Sequence, residues 1–170
     1  AGLHKTASYD PQAGKPFLHP GRQANIIYDG EVLGYLGEIH PAVADKYGIG
    51  EKAYVAVLDI PRVVEYASFD RKFEGIAKFP AVTRDISMMV SKDILAGQIE
   101  AMILQRGGKH LESLNLFDIY EGEQVKKGYK SMAYSLVFRA KDKTMTEDEI
   151  TSAMKKVYNG LESMGIELRQ

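Results

Sequence analysis

The chain has 170 residues, with 22 basic and 23 acidic side chains and a formal net charge of -1. This length fits one domain or two small ones, and a hydrophobic content of 45% is sufficient for a packed core. The near-neutral charge excludes a nucleic-acid binder that depends on bulk positive charge. Any contact with RNA must therefore come from a local patch.

The composition also excludes several kinds of site and location. There is no cysteine, so disulfides and thiolate metal sites are excluded. The apolar stretches are far shorter than the roughly 20 residues that span a bilayer, so no membrane partner is expected. No secretory signal pattern opens the chain, so secretion is not expected either.

The first half of the chain predicts short elements. Asp29 and Gly30 tolerate the positive φ angles of a two-residue type I′ turn, so residues 24–39 predict a β-hairpin. The elements predicted after it are a helix from Pro41 ended by Gly48, a strand over 53–59 and a helix from Pro61 to about Tyr66. These elements are too few to close a core, so residues 1–77 resemble the end of a larger α+β module.

The second half, residues 78–170, has a more regular pattern. The predicted elements are a strand over 84–90, a helix over 95–106, strands over 111–120 and 130–140, a helix with a capping box at Thr146 and Glu149, and a strand over 166–169. This β-α-β-β-α-β order predicts an α+β, ferredoxin-like split βαβ fold. Both helices then cover one face of an antiparallel sheet, and the other face stays open.

The sequence shows no credible active site. The four histidines, His4, His19, His40 and His110, lack the spacing of metal ligands. Glycine-rich phosphate loops and a nucleophile elbow are absent from the sequence. We therefore expect neither catalytic residues nor a bound metal ion.

Basic and aromatic side chains around the strand over 130–140 suit single-stranded RNA, because rings stack on bases while cations meet phosphates. The aromatic residues are Phe117, Tyr120, Tyr129 and Tyr134. The candidate RNA contacts are Arg139, Lys130, Lys141 and Lys143, with Ser131, Ser135 and Ser87. The alternation places Arg139 and the three serines on the open face. By the alternation of the strand, the side chain of Lys130 starts on the buried face. Lys130 lies at the end of the strand, so its long side chain can still extend to the loop. A solvated outer face would show the same pattern, so both interpretations stay open here.

Five ordered motifs resemble the carboxy-terminal region of bacterial phenylalanyl-tRNA synthetase β chains. They lie at residues 17–24 with 36–41 (FLHPGRQA and LGEIHP), 78–86 (KFPAVTRDI), 116–122 (LFDIYEG), 130–139 (KSMAYSLVFR) and 144–149 with 168–169 (TMTEDE and LR). The one departure from the family pattern is Met145 in place of leucine, which conserves volume.

The resemblance implies that the two parts of the chain have different roles. Residues 78–170 would form a ferredoxin-fold anticodon-binding domain, and residues 1–77 the C-terminal part of a class II synthetase-like module that is not catalytic. His19, Arg22, Glu38 and His40 would then serve hairpins and interfaces. The implied partners are tRNA(Phe) and the synthetase α chain, with no role for DNA.

The resemblance further implies a cytoplasmic α2β2 enzyme that esterifies tRNA(Phe) with phenylalanine, using ATP and Mg²⁺ on its α chain. This chain itself would hold no cofactor. The competing hypothesis is a small-molecule regulatory module on the same fold, without RNA binding. Such a module would show an apolar exposed edge for dimerisation and would not need the cationic residues within 126–143.

Overall fold

The computed structural model of the chain describes residues 7–68 and 75–169. The chain divides into two compact units between residues 74 and 75. Each unit has its own four-stranded sheet, and the paired strands in both sheets are antiparallel.

The first unit is a meander of strands with two short helices. Its elements are β1 (Ser8–Asp10), β2 (Leu18–Tyr28), β3 (Glu31–Ile39), α1 (Pro41–Lys46), β4 (Tyr54–Leu58) and α2 (Ile60–Tyr66), and the sheet order is β1-β2-β3-β4. The predicted hairpin joins β2 to β3, and Asp29 and Gly30 have φ angles of 51° and 86°. Both central residues of a type I′ turn need positive φ, so the hairpin prediction is confirmed.

The first unit has few buried apolar side chains of its own. Within residues 7–68 these are Leu18, Tyr28, Leu33 and Ala44. Large apolar side chains on β4 and α2 are exposed instead, namely Tyr54, Val57, Leu58, Ile60 and Val64. Inside the sheet, Glu38 is almost fully buried and accepts hydrogen bonds from Arg22 Nη1 at 3.0 and 2.8 Å. The neighbouring guanidinium lowers the pKa of Glu38, so this buried carboxylate stays charged and paired.

The second unit confirms the predicted β-α-β-β-α-β order. Its elements are β5 (Val82–Ser91), α3 (Ala96–Gly107), β6 (Leu111–Tyr120), β7 (Tyr129–Phe138), α4 (Glu147–Ser163) and β8 (Glu167–Arg169). The sheet order is β6-β7-β5-β8, which is the arrangement of a ferredoxin-like split βαβ fold.

Both helices of the second unit pack on one face of its sheet. The core joins alternate residues of β5 and β7 to the apolar stripes of the two helices: Ile86, Met88, Val90, Met132, Tyr134, Leu136 and Phe138 meet Ile99, Ile103, Ile150, Met154, Val157 and Leu161. The even-numbered face of β7 is therefore the buried one, as its period of two predicts. The predicted capping box at Thr146 and Glu149 begins α4.

Tyr134 does not serve as a surface aromatic. Its side chain is fully buried beneath the helices, as the alternation of β7 predicts, so it is not among the aromatic residues that can stack on a nucleic-acid base. Its hydroxyl forms no well-aligned hydrogen bond with the described residues, although the carboxylate of Glu100 lies close enough to act on it. Burial, with a smaller effect of Glu100, raises its pKa well above the usual range, so the phenol stays neutral.

Candidate nucleic-acid interface

The sheet face opposite the two helices is the candidate interface, and we call it the open face. It is formed by the odd-numbered positions of β5 and β7 and by their register partners on β6 and β8. Its central members are Ser87, Met89, Ser131, Ala133, Ser135, Asn115, Asp118, Tyr120 and Arg169. Small side chains in its middle leave the sheet backbone accessible to a flat ligand.

The three serines predicted for this face occupy it in different ways. Ser87 and Ser135 are half-buried, whereas Ser131 is 7% exposed. The cause is Arg169, whose Nη1 donates a hydrogen bond to Ser131 Oγ at 3.3 Å. A ligand on the open face would therefore meet the guanidinium of Arg169 before it met the Ser131 hydroxyl.

Arg139 lies at the end of β7 and is held in place on both sides. Its Nε donates to Glu112 at 2.9 Å, and its Nη1 donates to the Phe79 carbonyl at 3.2 Å. A guanidinium carries five N–H donors, so these two contacts leave others for a phosphate. The ion pair with Glu112 nevertheless reduces the positive charge that Arg139 offers to an anion.

The three candidate lysines also differ in their surroundings. The Nζ of Lys130 donates to the carbonyl of Ile94 at 3.1 Å, so the stem turns to the loop before α3. Lys143 pairs with Glu149, which raises the pKa of Lys143 and, together with the Thr146 backbone amide, lowers the pKa of Glu149 to about 2. Lys141 is exposed and has no ion pair or side-chain hydrogen bond with any residue in 7–68 or 75–169.

Arg169, Tyr120 and Asp118 join the open face through strand register. Arg169 is paired with Ser87 across β8 and β5, Tyr120 with Ser131, and Asp118 with Ala133 across β6 and β7. We call Arg169, Ser131, Ser87, Tyr120 and Asp118 the Arg169 cluster. It combines a guanidinium donor, a carboxylate acceptor, two hydroxyls and an aromatic ring, which are the groups that read base edges and stack on bases.

The sequence pattern gave only a weak signal for this cluster. Arg169 lies on a three-residue strand, and its neighbours depend on the position of that strand in the sheet. Tyr120 was one of the interleaved aromatic residues, and it is 43% exposed. Asp118 belongs to the LFDIYEG motif, but alternation could not assign it to a face, because β6 carries a bulge between Leu116 and Asp118.

A second group of aromatic and cationic residues lies at the β6–β7 end of the open face. Lys126 Nζ is 5.0 Å from the ring centroid of Tyr129, a cation–π distance. Nearby in the same loop region, Lys92 and Glu121 form an ion pair at 2.5 Å. Beside the Arg169 cluster, an open cleft of about 590 Å³ is lined by Asp85, Glu162 and other residues of β5, α4 and β8.

Among the described residues there is neither a cluster of metal ligands nor a helix that could span a membrane. Across residues 7–68 and 75–169, no three His, Asp or Glu side chains come together as metal ligands. Among the helices of these segments, none has the length and apolar character needed to cross a bilayer. His19 and His40 each accept a hydrogen bond at Nδ1 from a backbone amide two residues later, so they stabilise turns.

The edge strand β6 was the feature that would indicate a regulatory dimer. It does expose Phe117 and Ile119, which are 54% and 51% accessible. However, its ladder is interrupted at two places, between Leu111 and Ser113 and between Leu116 and Asp118. Such bulges twist an edge and impede pairing with a second sheet.

The chain matches two family profiles. The profile described as "Ferredoxin-fold anticodon binding domain" matches residues 77–169, and the one described as "Phenylalanyl tRNA synthetase beta chain CLM domain" matches residues 1–60. These matches confirm the resemblance inferred from the motifs and the ferredoxin-like fold class.

Curated bacterial relatives match nearly the whole chain. It is 45% identical over 169 residues to the "Phenylalanine--tRNA ligase beta subunit" of Clostridium acetobutylicum, which covers 99% of this chain and 21% of the relative. It is 39% identical over 151 residues to the protein of the same name from Bacillus subtilis, covering 89% of this chain and 19% of the relative. The chain thus spans about a fifth of the length of these relatives.

Proposed function

We propose that this chain, which belongs to the ferredoxin-fold anticodon binding domain family, recognises the anticodon region of tRNA(Phe) as part of a phenylalanyl-tRNA synthetase β subunit. The observation that carries the proposal is the open face. Helices α3 and α4 cover only the opposite side of the sheet, and the Arg169 cluster lies on the side that they leave uncovered. Anticodon loops present unstacked bases, and a flat sheet with hydroxyls, a guanidinium and a ring can bind them.

In this proposal the two parts of the chain have separate roles. Residues 78–170 bind the anticodon region, and residues 1–77 form the C-terminal part of a class II synthetase-like module that is not catalytic. The match of residues 1–60 to a synthetase β-chain profile supports the second assignment. The exposed apolar side chains of β4 and α2 are also compatible with a unit that belongs to a larger module.

The proposed parent enzyme is a cytoplasmic α2β2 phenylalanine–tRNA ligase that attaches phenylalanine to tRNA(Phe). ATP and Mg²⁺ would act at the active site of the α subunit, where they supply the activation of the amino acid. The contribution of this chain is to bind and orient the tRNA.

Two kinds of contact follow from the geometry. We propose that the Arg169 cluster reads base edges, with Tyr120 as a stacking surface and Ser87 and Ser135 as hydrogen-bonding groups beside it. Arg139, Lys130, Lys141 and Lys143 are proposed to meet the phosphate backbone near the strand ends. Among these four, Lys141 has the charge most available to a phosphate, because the others already bond to neighbouring groups.

The regulatory-module alternative has less support. Its expected apolar edge is present only in part, and the bulges of β6 oppose edge-to-edge dimerisation. The family profile over residues 77–169 describes an anticodon binding domain. We therefore do not favour a small-molecule function for this sheet.

The test is fluorescence anisotropy with the 170-residue chain and two tRNA(Phe) transcripts that differ only in the anticodon. We expect the transcript with the unaltered anticodon to bind more tightly than the altered one. The difference should be about 1–3 kcal/mol for each base contact that the altered anticodon cannot make. Arg169→Ala should reduce this preference, whereas Lys46→Ala, an exposed change in the first unit, should not. Equal binding of both transcripts, or no binding, would contradict the proposal.

A further inference from the structure

A cleft outside the open face lies where α3 ends and α4 begins, and we call it the α3–α4 cleft. Its volume is about 420 Å³. Its charged and titratable lining residues are Arg106, Lys109, His110, Asp148, Glu149 and Lys156. The cleft belongs to the helix-covered side of the second unit, so the serines of the open face do not contribute to it.

Local geometry gathers the cations of this cleft. Gly160 lets α3 approach α4 closely, because a Cβ there would lie 2.3 Å from Met102 Sδ and 3.2 Å from Arg106 Cγ. The stem of Arg106 therefore lies against α4 at Gly160. Lys156 lies one turn earlier on the same face of α4, since residues four apart are neighbours on a helix. Arg106 and Lys156 are thus brought side by side.

The third cation follows from the turn after α3. Gly108 has a φ of 76°, and the amide of Leu111 bonds to its carbonyl at 3.2 Å, so the chain turns sharply into β6. Lys109 and His110 lie within this turn and line the cleft. A left-handed φ of this kind strains any residue with a Cβ, so Gly108 suits this position.

The charges in the cleft are unbalanced. Arg106, Lys109 and Lys156 are exposed and form no ion pair or side-chain hydrogen bond with other residues in the described part of the chain. Of the two acidic groups, Glu149 is already bonded to Lys143 and to the Thr146 cap. Asp148 remains as one acidic group beside three permanent cations, so the cleft attracts anions.

One wall of the cleft lies next to the cationic end of β7. The amide of Arg139 donates to the carbonyl of His110 at 2.8 Å, so the start of β6 and the end of β7 lie together. Lys141 follows two residues after Arg139. Lys109 and His110 therefore lie close to Arg139.

We propose that the α3–α4 cleft binds a phosphodiester of the tRNA backbone, as a contact separate from the base-reading open face. This inference rests on the proposed function. Among the described residues that line the cleft there is no Phe, Tyr or Trp ring, His110 supplies the one imidazole, and Met145 and Ala153 are the apolar side chains. The cleft therefore adds affinity without base selectivity, as phosphate contacts do.

The test compares two adjacent lysines on α4. Lys156 lines the cleft, whereas Lys155 is equally exposed but does not. Both alanine variants change the charge and the helix propensity by the same amount. We expect Lys156→Ala to reduce the magnitude of the slope of log affinity against log salt by roughly one unit. The double variant Lys109→Ala/Lys156→Ala should reduce it by about two units. Lys155→Ala should leave the slope nearly unchanged.

The selectivity of binding separates this inference from the proposed function. The Lys109→Ala/Lys156→Ala variant should keep its preference for the unaltered anticodon, since only backbone contacts are removed. If that variant binds with an unchanged salt slope while Arg169→Ala loses the preference, the inference is wrong and the proposed function stands. The inference would also be wrong if Lys155→Ala changed the salt slope as much as Lys156→Ala does. Saturable binding of polyglutamate, and not of RNA, at the cleft would contradict it as well. No tRNA binding by the unaltered chain would contradict both.

Discussion

The Nη1 of Arg169 donates a hydrogen bond to Ser131 Oγ at 3.3 Å, although β8 and β7 are not adjacent in the sheet. The strand between them is β5, where Ser87 pairs with Arg169 and Met89 pairs with Ser131. The arginine side chain therefore crosses β5, and a small side chain at Ser87 leaves room for it. The result is a guanidinium held across the open face, with its position fixed before a ligand binds.

Arg139 and Lys141 should respond differently to removal. Arg139→Ala breaks the contacts with Glu112 and the Phe79 carbonyl, so we expect a loss of about 1 kcal/mol of folding stability together with weaker tRNA binding. Lys141→Ala should weaken tRNA binding at low salt and lower the salt slope by roughly one unit, without changing the melting temperature. Thermal unfolding and tRNA titrations measure the two effects. An unchanged salt slope for Lys141→Ala would exclude it as a phosphate contact.

Glu149 should link the stability of the second unit to acid pH. Its pKa is lowered to about 2, first by the hydrogen bond from Lys143 and then by the backbone amide of Thr146. A carboxylate with a lowered folded-state pKa stabilises the fold above its unfolded pKa of about 4.3, and that contribution is lost as the pH falls toward about 2. The difference in unfolding free energy between the unaltered chain and Glu149→Gln should therefore shrink over this range.

The matched control for this pH effect is Glu162→Gln. Glu162 lies near the other end of α4, is exposed, and forms no side-chain hydrogen bond or ion pair within residues 7–68 and 75–169. We expect its substitution to leave the acid dependence of unfolding nearly unaltered. A constant difference between the unaltered chain and Glu149→Gln from pH 7 to pH 2 would show that the pair with Lys143 does not stabilise the fold.

Tyr134→Phe should leave the second unit as stable as before or make it more stable. The ring is fully buried, and its hydroxyl forms no well-aligned hydrogen bond with the described residues. An unpaired buried hydroxyl costs about 1–3 kcal/mol, and its removal keeps the ring that fills the core. Tyr134→Ala should instead cost about 3–5 kcal/mol, because it opens a cavity. Urea unfolding measures both, and a clear loss of stability in Tyr134→Phe would mean that the hydroxyl is bonded.

Gly34→Ala should disrupt the first unit. A Cβ at this position would lie 2.1 Å from the Val57 carbonyl oxygen and 3.0 Å from Leu58 Cα, both of which are backbone atoms of β4. Because β4 would have to move away from β3, we expect a loss of about 1–3 kcal/mol. Gly50→Ala is the control, since a Cβ there meets nothing within 4 Å. Equal stability of the two variants would show that β4 gives way without cost.

The elements that could be predicted from the sequence depend on local chemistry. Asp29 and Gly30 mark a two-residue turn whatever surrounds them, and Thr146 with Glu149 marks a helix start through hydrogen bonds within one turn. The alternation along β7 indicates which side chains are buried, because a strand has a period of two. These signals were enough for the order of elements and for the ferredoxin-like fold.

The groups that form the candidate site depend on contacts between distant residues. The predicted fold places β8 next to β5, but the register that pairs Arg169 with Ser87, and so brings its guanidinium to Ser131, is not specified by any local pattern. The partners of Arg139 and Lys143, which reduce their free charge, are likewise set by tertiary geometry. The bulge after Leu116 shifts the parity of β6, so Asp118 could not be assigned to a face from alternation alone.

An NMR titration of the 170-residue chain with the anticodon stem-loop of tRNA(Phe) tests directly whether the open face binds the anticodon. If the open face binds the anticodon, the backbone amide signals of Ser87, Ser131, Ser135 and Arg169 should shift in a saturable manner. A stem-loop with an altered anticodon should shift them less at the same concentration. If the stem-loop binds but these four signals stay in place while others move, the open face is not the recognition surface and the central claim is wrong.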